Sequence, residues 1–330
     1  MVILADRSGL FPGCKRGASK KSMERIVIGT RGSALALAQS EIVKAELLSR
    51  NPSLTVEIRA IKTEGDRKQG TPLAAQSDKK DWIIDLERAL LASEIDLALH
   101  CGKDVPAELE RGTEVHSILK RATPFDVFIG RRQSNGQRIA FANLPPGAII
   151  GTASLRRRAS LLSYRSDLAV REHRGNVPTR IQKLDDSPDL SGIIIAAAGL
   201  ERLGLQDVVY EIIDRTIMLP SMNQGALAVQ IRQGDARIHK HMLSLVDRNT
   251  AAEFAAERAV SEVLGGDCHS AISIFAEARG NSISIAGRVF AKDGLSSVSH
   301  TASAPIESAI ETGMRVGQEL LARGGATFLA

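Results

Sequence analysis

The stretch from Gly151 to Arg180 constrains this chain most. It carries seven arginines, Arg156, Arg157, Arg158, Arg165, Arg171, Arg174 and Arg180, against two acids, Asp167 and Glu172. Just before it, Ala148-Ile149-Ile150 reads as a short buried strand, and Gly151-Thr152-Ala153-Ser154 then turns the chain into a helix that bears the arginine triplet. Backbone N–H groups at such a helix start favour an anion, and the planar guanidinium fork grips carboxylate or phosphate in two-pronged fashion. Arg158 and Arg165 read as a solvated helix face. Arg156, Arg157, Arg174 and Arg180 read as ligand groups, the last two beside a turn marked by Gly175, Asn176 and Pro178.

The same strand-to-helix texture occurs earlier. Met23 to Ile28 is a strand candidate, Gly29-Thr30-Arg31-Gly32 follows, and Ser33 is placed to cap a helix rich in Ala and Leu to about Leu48. Two such units predict two related α/β domains that aim their helix starts at a shared cleft. Leu54 to Ile61 reads as a strand, and from Trp82 to Leu91 the positions Ile83, Leu86 and Leu90 share one helical face, a core stripe. Ile95, Leu97 and Leu99 alternate in a strand that runs into His100-Cys101-Gly102-Lys103-Asp104, so Asp104 sits past a strand's carboxyl end, where open α/β sheets bind ligands.

Gly192 to Ile195 is a further buried strand, and the small side chains from Ala196 to Leu200 let backbone approach a ligand. Leu219 to Ala226 reads as a crossover back to the first domain. A capping-box pattern at Thr250-Ala251-Ala252-Glu253 opens a helix that Gly265-Gly266 ends, with Cys268 just beyond. Ile272–Ala278, Ser282–Phe290 and Leu295–Ala302 read as three strands, and a helix from Pro305 closes a small α+β domain.

Composition narrows the function class. The net charge is +5, but aromatics are only 3%, which argues against a single-strand nucleic-acid binder built on stacking platforms. A small polyanionic substrate suits the same charge. Cys14, Cys101 and Cys268 are too scattered for a disulfide framework, which points to a reducing cytosol. No apolar run approaches the roughly 20 residues of a membrane span. Residues 1 to 22 hold five basic residues and one acid; they read either as a weak targeting segment or as sequence upstream of a true start at Met23.

Taken together, IGTRGSALALAQ at 28 to 39, HCGKDVP at 100 to 106, GTASLRR at 151 to 157, HRGNVPTRIQKLD at 173 to 185, IIAAAGLERLGL at 194 to 205 and QGALA at 224 to 228 resemble the porphobilinogen deaminase (hydroxymethylbilane synthase) family. The resemblance implies two periplasmic-binding-protein-like α/β domains plus a C-terminal α+β domain with a three-stranded antiparallel sheet. In this numbering a disordered extension is expected at 1–22, domain 1 at 23–122 and 219–245, domain 2 at 123–218 and domain 3 at 246–330. It implies a covalent dipyrromethane cofactor held by a thioether to Cys268, Asp104 as the catalytic aspartate, and porphobilinogen as substrate. Arg31, Ser33, Lys79, Lys103, Ser154, Arg156, Arg157, Arg174, Arg180 and Gln224 are implied as cofactor and substrate contacts. A cytoplasmic monomer in tetrapyrrole biosynthesis is expected, with no metal, nucleic-acid or membrane partner.

The chain also departs from the family pattern. Ser77-Asp78-Lys79-Lys80-Asp81-Trp82 stands where a glycine-rich segment ending in Lys-Gly-Leu-Phe is usual, and Ala75 replaces a lysine. Cys101 takes the place of a serine and is expected to face the cleft, while Asp267 and His269 flank the attachment cysteine. The altered segment keeps an alternative open, a non-catalytic pyrrole or carboxylate binder. Retention of both Asp104 and Cys268 argues for catalysis.

Overall fold

A computed structural model describes residues 24–67, 79–265, 270–291 and 294–329. Residues 1–22, Ala75 and Cys268 with its neighbours Asp267 and His269 lie outside the described residues, and Lys79 is described through its backbone alone.

The chain opens with β1 (Arg25–Arg31), whose Ile26 and Ile28 are buried, and Ser33 accepts from the Ala36 N–H at 3.3 Å to start α1 (Ala34–Arg50). Then come β2 (Thr55–Ile61), α2 (Glu64–Arg67), α3 (Ile84–Leu91), β3 (Leu97–Cys101) and β4 (Thr113–Ile118). The chain next crosses to a second body, comprising β5 (Asp126–Gly130), β6 (Ile149–Gly151), α4 (Leu155–Tyr164), β7 (Ala169–Arg171), α5 (Val177–Asp186), β8 (Gly192–Ala196), α6 (Ala197–Arg202) and β9 (Glu211–Ile212). It returns through residues 213–226 to β10 (Leu227–Arg232).

Both sheets have five strands and the same plan. The first runs β2-β1-β3-β10-β4 and the second β7-β6-β8-β5-β9. In each, three parallel strands are followed by one antiparallel strand that has arrived by a crossover, β10 in the first and β5 in the second. The paired Ile-Gly-Thr segments therefore occupy equivalent places, on β1 and at β6. This is the pair of similar α/β lobes that the motifs imply. β10 lies between two strands and reads in sequence as a nearly continuous apolar run, Leu227 to Ile231 interrupted by the buried Gln230, because both faces are covered.

The C-terminal unit follows α7 (Ala236–Leu243) and consists of α8 (Arg248–Leu264), β11 (Ile272–Arg279), β12 (Ser282–Phe290), β13 (Ser297–Pro305) and α9 (Ala309–Leu320). Its three strands are antiparallel in sequence order, as their patterning predicts. Ile274, Ile283, Ile285 and Val289 bury one face of the sheet with Val260 of α8 and Val316 of α9. Gly313 lets the two helices touch, since a Cβ there would lie 2.4 Å from the Ala256 carbonyl oxygen. The expected capping box is displaced. Asp247 caps α8 by accepting from the Thr250 N–H at 2.9 Å, while the Thr250 hydroxyl and Glu253 carboxylate accept from Arg121 and Ala278 backbone N–H groups instead. Tertiary donors have taken the groups that a local cap would have used.

Two segments cross between the lobes, 119–125 and 213–226, and they hydrogen-bond to each other from Ala122 N–H to the Gly225 carbonyl at 3.1 Å. Arg121 fixes this crossing to the C-terminal unit. Its Nη1 and Nη2 reach the two oxygens of Glu257 at 2.7 and 3.2 Å, and its Nε donates to the Gln224 carbonyl at 2.8 Å. Glu257, fully buried, also accepts from the Ala276 and Asn223 N–H groups. Removing one partner of such a pair leaves a buried charge unanswered. Glu257→Ala is expected to lower unfolding stability by roughly 3–5 kcal/mol in urea titration, and a loss below about 1 kcal/mol, the range of exposed pairs, would contradict this role.

Candidate active site

The parallel strands of both lobes end at one cleft of about 1560 Å³. That exceeds the ~300–1,000 Å³ of ordinary small-molecule pockets. From the first lobe come Arg31 at the end of β1, Ser33 at the start of α1, and Lys103 and Asp104 on the turn that continues β3. From the second come Arg157 of α4, Arg174 and Arg180 around the start of α5, and Arg202 at the end of α6.

The first wall is set by packing around Arg31. Its Nη2 donates to Asp66 Oδ1 at 2.6 Å, its guanidinium lies 4.0 Å from the Trp82 ring centroid, and its buried Nε has no partner. Asp66 in turn accepts from the Thr63 hydroxyl at 2.8 Å. Burial alone would raise the Asp66 carboxyl; the Arg31 and Thr63 hydrogen bonds outweigh it and hold the group below its ordinary range. Gly65 makes room for the indole, as a Cβ there would fall 2.3 Å from the ring.

Asp104 is different. Among the described residues its half-buried carboxylate has no hydrogen-bond or ion-pair partner. Neighbouring Lys103 is pushed below its ordinary ammonium value by burial, with Asp104 pulling the other way. Cys101 lines the same wall as expected, its thiol 3.1 Å from Gln39 Nε2 and raised by burial. His100 turns away from it, buried, with Nε2 3.1 Å from Gln230 Oε1, and burial lowers its imidazole to about 4.

The second wall is dense in cations. Asn176 caps α5 by accepting from the Thr179 N–H at 2.9 Å, which places Arg180 so that its Nε donates to the Gly175 carbonyl at 2.7 Å. Burial, then the charges of Arg157 and Arg174, lower the Arg180 guanidinium to about 10. It stays charged at neutral pH, in a site whose positive charge the protein only partly answers. Lys183 and Arg202 also line the cleft, donating to the carbonyls of Arg174 at 3.2 Å and Gly225 at 2.6 Å, and Arg174 pairs with Glu172.

The arginine triplet divides. Arg156 and Arg157 both turn to Asp126, fully buried at the start of β5, with N–O distances of 2.8 Å each. Arg157 also lines the cleft; Arg156 does not, and its Nη1 donates to the Leu219 carbonyl at 2.9 Å. Ser154 caps α4 behind the cleft surface, accepting from the Arg157 N–H at 3.4 Å. Gln224 lines the cleft and donates to Asp126 Oδ1 at 3.1 Å. Arg158 is exposed, and Arg165 and Arg171 pair with Asp167 and Asp189 outside the cleft.

Sequence reasoning missed Asp126, Asp66, Gln39, Lys183 and Arg202. Asp126 left one signal: an acid opening the apolar run Val127-Phe128-Ile129 requires a buried partner.

A two-lobed cleft rimmed by guanidinium and ammonium groups, around a carboxylate with no hydrogen-bond or ion-pair partner among the described residues, suits a small polyanion. A family model described as "Porphobilinogen deaminase, dipyromethane cofactor binding domain" matches residues 26–240, and the C-terminal domain model of the same family matches 251–322. The chain belongs to the porphobilinogen deaminase family. It is 41% identical over 309 residues to the porphobilinogen deaminase of Geobacter sulfurreducens, covering 94% of this chain and 95% of that protein. With that of Syntrophus aciditrophicus it shares 39% over 302 residues, covering 92% and 97%. Among solved structures, the periplasmic aliphatic sulphonate binding protein SsuA from Escherichia coli aligns with a TM-score of 0.37 at 12% identity, covering 72% of this chain and 70% of that one. No helix among the described residues is long and apolar enough to cross a membrane.

Burial raises the Asp126 carboxyl, but its two arginines outweigh that and hold it well below the usual range. Its stabilising contribution is therefore present above about pH 4, the unfolded value, and lost as pH falls toward the folded one. Asp126→Asn is expected to be less stable than the parent by roughly 3–5 kcal/mol at pH 7. In urea titrations the gap should narrow below about pH 4; a pH-independent gap would contradict the assignment.

Proposed function

We propose that Asp104 is the catalytic carboxylate of a hydroxymethylbilane synthase. The chain is a transferase of tetrapyrrole biosynthesis, joining four porphobilinogen molecules with loss of ammonia into linear hydroxymethylbilane. The observation that carries the role of Asp104 is that, among the described residues, its carboxylate makes no hydrogen bond or ion pair in a cleft rimmed by cations.

The cations and the width of the cleft fit a dipyrromethane cofactor with acetate and propionate side chains. Arg174, Arg180 and Arg157 would hold those carboxylates, with Lys183 and Arg202 beside them, and Cys268 would anchor the group by a thioether. When bound, it supplies the free pyrrole α-carbon at which condensation takes place.

The remaining chemistry falls to the chain's own side chains. Loss of ammonia leaves the substrate pyrrole cationic, and the Asp104 carboxylate stabilises that charge at the pyrrole N–H. The same carboxylate takes up and returns the protons that the step releases and needs. Arg31 grips a substrate carboxylate with the cleft-facing part of its guanidinium while Asp66 and Trp82 keep the fork oriented, and Lys103 adds charge beside Asp104. Ser33 and Ser154 act through the helix starts they cap. Arg156 and Gln224 act through Asp126, as positioning groups, and Lys79 is retained as a contact on the family resemblance. The two crossing segments support the division into domains at 23–122 with 219–245, 123–218 and 246–330. A cytoplasmic monomer without nucleic-acid partners agrees with the modest charge and scarce aromatics. The family match across both regions favours this reading over a non-catalytic binder.

Intact-mass spectra and turnover, read together, test the proposal. Asp104→Asn should keep the added mass of two linked pyrroles yet lose porphobilinogen turnover by about 10²–10⁴-fold. Cys268→Ser should lose the added mass. An Asp104→Asn protein that carries the mass and turns over normally would remove Asp104 from the chemistry; a parent protein without added mass would remove the cofactor.

A further inference from the structure

Outside the cleft, one cluster gathers metal-ligating groups from two elements that are distant in sequence. Glu114 and His116 are two residues apart on β4, so they share a face of that strand. His239 lies on α7, which packs across the same face, where Ile118 meets Ile238 and Met242. The donor atoms of Glu114, His116 and His239 all lie within 4.8 Å of one another. None of the three lines the cleft.

The three side chains lie within reach of one another, His116 and Glu114 at ion-pair distance. His116 Nε2 lies 3.4 Å from Glu114 Oε1 but makes no hydrogen bond, and it is buried. The His116 and His239 rings stand 5.4 Å apart, tilted by 44° rather than stacked. Zinc bonds of about 2.0–2.1 Å in tetrahedral geometry separate neighbouring donors by roughly 3.3 Å. The His116–Glu114 spacing matches such an edge, and the half-buried His239 places a third donor within 4.8 Å of both. Two imidazoles and one carboxylate form a donor set of borderline character, suited to Zn²⁺ and its transition-metal neighbours rather than to Mg²⁺ or Ca²⁺.

We propose that Glu114, His116 and His239 form a binding site for a divalent transition-metal ion of the Zn²⁺ class, with water completing the coordination, which ties the edge strand β4 to α7. The site is separate from the pyrrole chemistry. Among the described residues β4 is paired on one side only, so a cross-link to α7 secures the strand that leads into the crossing segment 119–125.

The test uses the full-length holoprotein stripped with chelator. ZnCl₂ is added in a calorimeter, and CoCl₂ is followed by visible absorbance. The expected result is a binding event that raises the thermal unfolding midpoint, with Co²⁺ ligand-field bands and no thiolate charge-transfer band. His239→Ala and the nearly isosteric Glu114→Gln should each weaken that event by about 100-fold or more, since even groups that merely support a ligand are worth about 10–100-fold. Both variants should keep the parent's turnover. Absence of binding at micromolar metal, binding unchanged in Glu114→Gln, or a cobalt spectrum with the thiolate band would overturn the proposal; the last would place the ion on cysteine.

Discussion

The paired contacts of Arg156 and Arg157 with Asp126 are the interaction on which the cleft depends. A lone carboxylate at full burial would carry a desolvation penalty of several kcal/mol, so Asp126 is tenable only with its guanidiniums in place. One acid facing two arginines still leaves the site positive. The three elements involved are β5, α4 and the returning segment that carries Gln224, so the charge balance also fixes where the second lobe meets the crossing. Arg157 then presents to the cleft a charge that Asp126 only partly cancels, and Arg180 is lowered first by burial and then by the neighbouring charges of Arg157 and Arg174. Such a surface gains from substrate carboxylates what it lacks internally.

The Arg121–Glu257 pair does similar work at the crossing. It gathers both interlobe segments onto α8 and β11, so the C-terminal unit is held at the hinge rather than to either lobe alone. Adding several rings from one catalytic carboxylate requires that lobes or loops shift between steps. A hinge clamped to a third body leaves such shifts to the lobes. The structural charges thus sit behind the cleft and at its hinge, while Asp104 makes no hydrogen bond or ion pair among the described residues.

Much of this was legible in the sequence because it rests on local rules. Ser33 and Ser154 cap the two helices that their positions foretell, the apolar runs give strands, and the Ile-Gly-Thr echo marks equivalent places in two sheets of one plan. What could not be read depends on pairing at long range. Nothing local says that Arg156 turns inward to Asp126, 30 residues earlier, while Arg157 also reaches the cleft. β10 is assigned no element from the sequence, and its neighbours β3 and β4 come more than a hundred residues before it. The capping box at Thr250 failed for the same reason: its side chains serve Arg121 and Ala278. His116 and His239 are likewise brought together only by the packing of α7 on β4.

Trp82 is the chain's single tryptophan, and its ring rests against Arg31 inside the cleft. Its emission therefore reports on that wall alone. The most direct measurement is steady-state tryptophan fluorescence of the Asp104→Asn protein during titration with porphobilinogen. A saturable change that disappears in Arg31→Leu is the result expected if substrate carboxylates engage Arg31 beside Asp104. Unchanged emission at concentrations that saturate turnover in the parent would place the substrate elsewhere and contradict the account.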